Sequence, residues 1–138
     1  MKIDATNKIV GRVASFAAKQ ALLGNKVHIV NAEKAVFTGR TDRVYSKFKT
    51  NQDRGEPFHG PFISRMPDRL FRRIVRGMLP FKQARGREAF RLVLCHIGEP
   101  KDLEKEPQVD VQGADVSKVP NLHYVTVGEI SKLLGAKL

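Results

Sequence analysis

Basic side chains are concentrated between residues 65 and 91 of this 138-residue chain. The stretch holds nine arginines and lysines but only two acidic residues, Asp68 and Glu88, so it carries +7 of the formal net charge of +11. Guanidinium groups bind phosphate oxygens through strong, often bidentate hydrogen bonds. A cluster of this density therefore indicates contact with a polyanion.

Hydrophobic periodicity predicts a helix over residues 67–79 with an apolar face and a basic face. The basic face consists of Arg69, Arg72, Arg73 and Arg76. An ordinary solvated helix face would mix charge signs, because like charges three or four positions apart repel each other. An unmixed arginine face therefore favours nucleic acid as its partner over water alone.

The charge is unevenly distributed along the whole chain. Residues 1–39 carry a net charge of +4, residues 40–91 carry +9 and residues 99–138 carry −2. This asymmetry predicts a polyanion-binding surface in residues 40–91, while the tail has another role. The acidic segment 99–118 could contact a basic neighbouring protein.

Composition and motifs exclude several other classes of function. The length suits one domain over residues 1–138, and the single cysteine, Cys95, excludes an internal disulfide. No apolar run reaches signal-peptide or membrane-span length, so we expect a soluble intracellular protein. Nucleotide-binding glycine motifs and metal-ligand spacings of histidine are absent, so we expect no cofactor, no metal and no catalysis.

Four β-rich runs can form the scaffold that positions the basic surface: residues 2–5, 27–31, 35–38 and 92–97. A helical pattern over residues 10–23 separates the first two, which predicts a βαβ unit with parallel strands. Residues 99–125 are weakly patterned and acidic, and we expect them to be irregular. Thr126 and Glu129 match a capping box that begins a C-terminal helix over residues 126–135.

Two predicted loops flank the arginine-rich helix. Residues 50–61 contain glycines and prolines that oppose regular structure. Phe58 in this segment and Phe62 just after it alternate with the basic residues Arg54 and Arg65. Such a loop suits RNA, although burial within the protein is the simpler explanation for each ring. Residues 81–87 form a second, basic loop, in which Gly86 would allow close approach to a ligand, followed by one turn of helix at most.

Three motifs give the chain a family resemblance: GRVAS at residues 11–15, VNAEKAVFTG at residues 30–39 and RGMLP at residues 76–80. In this order and spacing they resemble the universal large-subunit ribosomal protein L-thirteen family, and the ending at residues 127–135 resembles its archaeal branch. The resemblance implies a three-layer α/β/α fold with a four-stranded parallel sheet of order 3-2-1-4. A long basic insertion, residues 40–91, would precede the last strand.

The resemblance also implies a structural constituent of the large ribosomal subunit that binds 23S-type rRNA and neighbouring ribosomal proteins in the cytoplasm. We expect neither a membrane nor a small-molecule substrate as a partner. Recognition would follow RNA shape, since contacts to phosphate carry little sequence information. The candidate RNA-binding residues are Arg12, Lys34, Arg40, Arg43, Lys47, Lys49, Arg54, Arg65, Arg69, Arg72, Arg73, Arg76, Lys82, Arg85, Arg87 and Arg91.

Two alternatives remain open from the sequence. The first is a nucleotide- or RNA-processing α/β enzyme with a crevice near Asn31, Thr38 and Arg40, at the carboxyl ends of strands. The second is a membrane-surface protein that inserts the apolar face of the helix at residues 67–79. Solvent accessibility of that face distinguishes the second alternative from RNA binding.

Overall fold

The computed structural model describes residues 1–56, 58–120 and 123–137, and within them the chain forms five strands, five helices and three short 3-10 turns. The elements are β1 (Lys2–Asp4), α1 (Val10–Leu22), β2 (Val27–Val30), β3 (Val36–Thr38), α2 (Thr41–Asp53), α3 (Pro67–Gly77), α4 (Ala84–Leu92), β4 (Val93–Cys95), β5 (Tyr124–Thr126) and α5 (Val127–Leu133). The 3-10 turns are Ala32–Lys34, Lys101–Leu103 and Val116–Lys118.

The central sheet contains β1, β2 and β4, all parallel, with β2 in the middle. Ile3, Ile29 and Cys95 stand side by side across it. The βαβ unit predicted from the first two strands and the helix between them is confirmed. Parallel neighbours need a crossover of about a dozen residues, and α1 supplies it.

The predicted four-stranded sheet and its order 3-2-1-4 are not confirmed. β4 pairs with β2 rather than with β1. β3 is not part of this sheet and pairs antiparallel with β5 in a second, two-stranded sheet. The link from β2 to β3 is too short for a parallel crossover. Asn31 begins this link in a left-handed conformation, with φ of 53°, and the 3-10 turn Ala32–Lys34 then redirects the chain.

The two faces of the central sheet are covered by different structures. Ile29 and Val93 belong to one hydrophobic core with α1, α3 and α4, whose contributions include Val13 and Phe71. On the opposite face, Lys2 bonds to Glu99, which precedes the 3-10 turn Lys101–Leu103. Residues 107–109 then hydrogen-bond along the outer edge of β1. An irregular acidic segment thus lies where the α/β/α expectation places a second helical layer.

Several element boundaries also differ from the predictions. α2 continues through Asp53, into the predicted loop, and α4 replaces most of the predicted basic loop and the single helical turn after it. Gly86 of α4 is buried, and a Cβ built on it would lie 2.1 Å from the Pro80 carbonyl oxygen. The glycine therefore permits close packing within the chain, rather than the approach of a ligand. The Thr126–Glu129 capping box is confirmed, with both of its hydrogen bonds formed.

Candidate nucleic-acid interface

α3 is fixed on the protein by its apolar face. Pro67 occupies the first turn, where its missing N–H costs no helical hydrogen bond. Leu70 and Phe71 are 1% and 0% exposed, so the apolar face is part of the core. This burial removes the proposal that the helix inserts into a membrane surface. Over the described part of the chain, no helix combines the length and apolar character needed to cross a membrane.

Arg72 differs in placement from the other three arginines of α3. It is half-buried, with its guanidinium carbon 4.4 Å from the centre of the Phe90 ring. Its Nη2 donates a hydrogen bond of 3.3 Å to the Phe90 carbonyl. Arg72 therefore joins α3 to α4, so part of its guanidinium is engaged within the protein. The periodicity of residues 67–79 did not reveal this contact, because it cannot show where α4 packs.

Arg69, Arg73 and Arg76 are exposed, as predicted for a binding face. The Arg76 guanidinium carbon lies 5.2 Å from the centre of the Phe81 ring, and Phe81 packs edge-on against Phe90. Stacking on an aromatic ring restricts a guanidinium without consuming its hydrogen-bond donors. Arg76 is thereby held in place with its donors available.

A groove of about 960 Å³ connects this arginine face with α2 and β3. Four of its lining residues are basic: Arg40, Arg43, Lys47 and Arg73. Thr38 also lines the groove, but Asn31 does not. The side-chain amide of Asn31 instead donates a hydrogen bond of 3.0 Å to the Asp4 carboxylate. Asn31, Thr38 and Arg40 therefore do not line one crevice, contrary to the prediction.

The remaining candidate residues lie on the protein surface. Arg12 donates a hydrogen bond to the Gly113 carbonyl, and the Lys49 ammonium lies 2.9 Å from the Asp53 carboxylate, which raises the pKa of Lys49. The other exposed members are Lys34, Arg54, Arg65, Lys82, Arg85, Arg87 and Arg91.

Two lysines outside the candidate set have a structural role that the sequence analysis missed. Lys2 and Lys8 are buried, and each pairs with a carboxylate of the acidic segment. The Lys2 ammonium lies 2.6 Å from Glu99, and Lys8 pairs with Asp110 and lowers the pKa of that carboxyl. The sequence signal was the opposite charge of residues 1–39 and 99–118. At least part of the acidic segment thus neutralises the protein's own N-terminal region.

The buried titratable groups do not form a reactive centre. His28 Nδ1 and His96 Nε2 are 3.2 Å apart, and burial lowers the pKa of His28. Burial raises the pKa of Cys95 to about 12, so its thiol is a poor nucleophile at neutral pH. Within residues 1–56, 58–120 and 123–137, no three metal-ligating side chains are grouped to hold an ion.

Comparisons with known proteins give a consistent result. The family described as "Ribosomal protein L13" matches residues 1–102. A Methanopyrus kandleri protein named "Large ribosomal subunit protein uL13" is 45% identical, over 99% of this chain and 87% of its own length. Proteins of the same name from Haloarcula marismortui and Methanococcoides burtonii are 45% and 40% identical, over 97% and 98% of this chain and 90% and 97% of their own lengths.

Proposed function

The chain belongs to the ribosomal protein L13 family, and from that premise we propose that it is a structural component of the large ribosomal subunit. The resemblance identified from the GRVAS, VNAEKAVFTG and RGMLP motifs is confirmed, including its archaeal character. The family is structural, so the enzymatic alternative loses its support. In this role the protein acts in translation, in the cytoplasm.

Its direct partner in the subunit is 23S-type rRNA, bound through the basic surface of residues 40–91. The observation that carries this assignment is the exposure of these cations without compensating carboxylates. Among ion pairs of the described residues, those within 40–91 are limited to Lys49 with Asp53 and His59 with Glu56. Like charges left unpaired repel each other, and phosphate relieves that repulsion.

Arg69, Arg73 and Arg76 are the first phosphate contacts in this proposal, since all three are exposed on one helix. Arg72 acts indirectly, by holding α4 against α3. The other surface candidates extend the contact area: Arg12, Lys34, Arg40, Arg43, Lys47, Lys49, Arg54, Arg65, Lys82, Arg85, Arg87 and Arg91.

The loop between α2 and α3 adds aromatic contacts to this surface. Phe58 and Phe62 are 89% and 73% exposed, so the expectation that each ring packs into its own protein is wrong. Glu56 and Gly60 exchange two backbone hydrogen bonds, of 2.9 and 3.3 Å, that close the loop around Phe58. These exposed rings lie between Arg54 and Arg65 in the sequence, and they can stack on unpaired bases while the arginines contact phosphate.

Sucrose-gradient sedimentation of a cell extract tests the proposed function. At low salt the endogenous protein should sediment with the large subunit. Concentrated salt should release it, because phosphate contacts depend on counterion release. A protein that remained at the top of the low-salt gradient, apart from large subunits, would contradict the ribosomal role.

A further inference from the structure

The groove between α2 and α3 has an apolar floor that the fold leaves open. Val36 of β3 and Leu70 of α3 are buried at its base. Phe37 and Phe48 complete this floor, with ring centres 5.3 Å apart and ring planes inclined by 54°. α2 has no fully buried residue over its 13 positions. Its Val44 and Phe48 are half-buried against the hydrophobic core and also line the groove, so part of each side chain remains open to it.

The groove has a basic rim with no opposing charge. Arg40, Arg43 and Lys47 line it on the α2 side and Arg73 lines it on α3. None of its described lining residues is acidic, and these four cations take part in no ion pair within the described residues. A partner that fits here must combine negative charge with an apolar surface.

We propose that this groove binds an unpaired segment of ribosomal RNA, with phosphates on the basic rim and a base against the Phe37–Phe48 floor. The inference rests on the proposed function and specifies the form of the RNA. Bases in an A-form duplex are stacked on one another, so only unpaired nucleotides can present a ring face to a side chain. The groove is at the upper end of the 300–1,000 Å³ typical of small-ligand sites, enough for a short segment but not a duplex.

The edges of the groove also carry groups suited to a base. Thr38, Asn51 and His123 line it beside the apolar floor and offer hydroxyl, amide and imidazole groups. An acidic peptide could satisfy the rim, but its carboxylates and aliphatic carbons would leave the aromatic floor without a stacking partner. RNA therefore fits both parts of the groove, and a peptide fits mainly one.

Fluorescence anisotropy with the purified full-length chain tests this inference. The probes are labelled ten-nucleotide oligouridylate and oligoadenylate, and a ten-base-pair RNA duplex, all at one salt concentration. We expect Phe48→Leu, which keeps an apolar side chain but removes the ring, to weaken single-strand binding by about fivefold or more. Its effect on the duplex should be under about twofold. Phe16→Leu, a half-buried phenylalanine of α1 outside the groove, is the matched control and should change neither.

A charge-reversal pair tests the rim independently. Arg43→Glu should weaken the single strand more than the duplex, whereas Arg87→Glu, an exposed arginine of α4 outside the groove, should weaken both alike. Urea unfolding of each variant shows whether the fold is retained. A Phe48→Leu protein that folds and binds single strands as Phe16→Leu does would overturn the inference.

Two competitors distinguish other occupants. Uridine monophosphate bound as tightly as the oligonucleotide would mark a small-molecule site, and deca-glutamate bound equally tightly, with the same loss in Phe48→Leu, would mark a peptide site. Either result overturns the inference. Sedimentation separates the two proposals, because a chain found with large subunits whose groove fails these tests retains its ribosomal role.

Discussion

Two adjacent arginines of α3 are placed differently because their surroundings differ. Arg72 packs over Phe90, while Arg73 is exposed and lines the groove. The sequence correctly predicted that residues 67–79 have an apolar and a basic side. It placed both arginines on the basic side, because periodicity gives an angle around a helix but not the position of a neighbouring helix.

Replacing Arg72 with alanine should therefore affect stability, and replacing Arg73 should not. Arg72→Ala removes a cation–π contact and a hydrogen bond, so we expect the free energy of unfolding to fall by about 1–2 kcal/mol. Arg73→Ala should change it by less than about 0.5 kcal/mol, as is usual for exposed positions. Urea denaturation measures both, and equal values for the two variants would contradict the assigned positions.

His28 should make stability depend on pH in the mildly acidic range. Burial lowers its pKa from 6.5, with Lys26, His96 and the N-terminal amino group acting in the same direction and Glu106 opposing them. The unfolded chain therefore binds more protons than the folded protein as pH falls below about 6.5, and the free energy of unfolding decreases there. This loss levels off once the pH is below the folded pKa.

Urea unfolding of His28→Gln between pH 7.5 and pH 5 measures this contribution. The variant should show a smaller decrease in unfolding free energy than the natural chain, because it lacks the group whose pKa burial lowers. The lowered pKa values of Asp4 and Asp110 act in a separate window, because their contribution is lost only as pH falls below about 3.8. An unchanged pH slope in His28→Gln would contradict the prediction.

At the scale of elements, the sequence predicted those parts that short-range patterns specify. The βαβ unit, α3 and the capped start of α5 follow from local periodicity and capping residues, and the structure contains each of them. The sheet order depends on pairing between strands that are far apart in the sequence. The link after β2 and the availability of β5 decide the position of β3, and neither is visible in a local pattern.

Gly86 allows the packing of α4 to be tested directly. Gly86→Ala would place a methyl group 2.1 Å from the Pro80 carbonyl oxygen, so the backbone must shift. We expect a loss of about 1–3 kcal/mol of unfolding free energy, as for other overpacked sites. Gly77→Ala is the matched control, because nothing lies within 4 Å of its added carbon, and it should be neutral or slightly stabilising. Chemical denaturation that ranked the two variants equally would argue against close packing at Gly86.

At the scale of the whole molecule, charge is sorted between two regions. Carboxylates of the acidic segment pair with Lys2, Lys8 and the N-terminal amino group, whereas the +9 region 40–91 keeps most of its charge exposed. Sequence composition predicted the basic surface. The opposite charges of residues 1–39 and 99–118 were compatible with pairing, but charge counts do not identify which residues about 100 positions apart become partners. The cations of residues 40–91 thus remain largely without carboxylate partners among the described residues.

The strongest test of that surface is the salt dependence of binding to large-subunit rRNA. Each phosphate contact contributes about 0.7–0.9 to the slope of log K against log salt concentration. Replacing Arg69, Arg73 and Arg76 together with alanine should therefore reduce the slope by roughly 2–3. A control with Lys101, Lys105 and Lys118 replaced removes the same charge from the acidic segment, so its slope should stay near that of the natural chain. If both triple variants lost the same slope, affinity would follow net charge alone, and the assignment of phosphate contacts to α3 would fail.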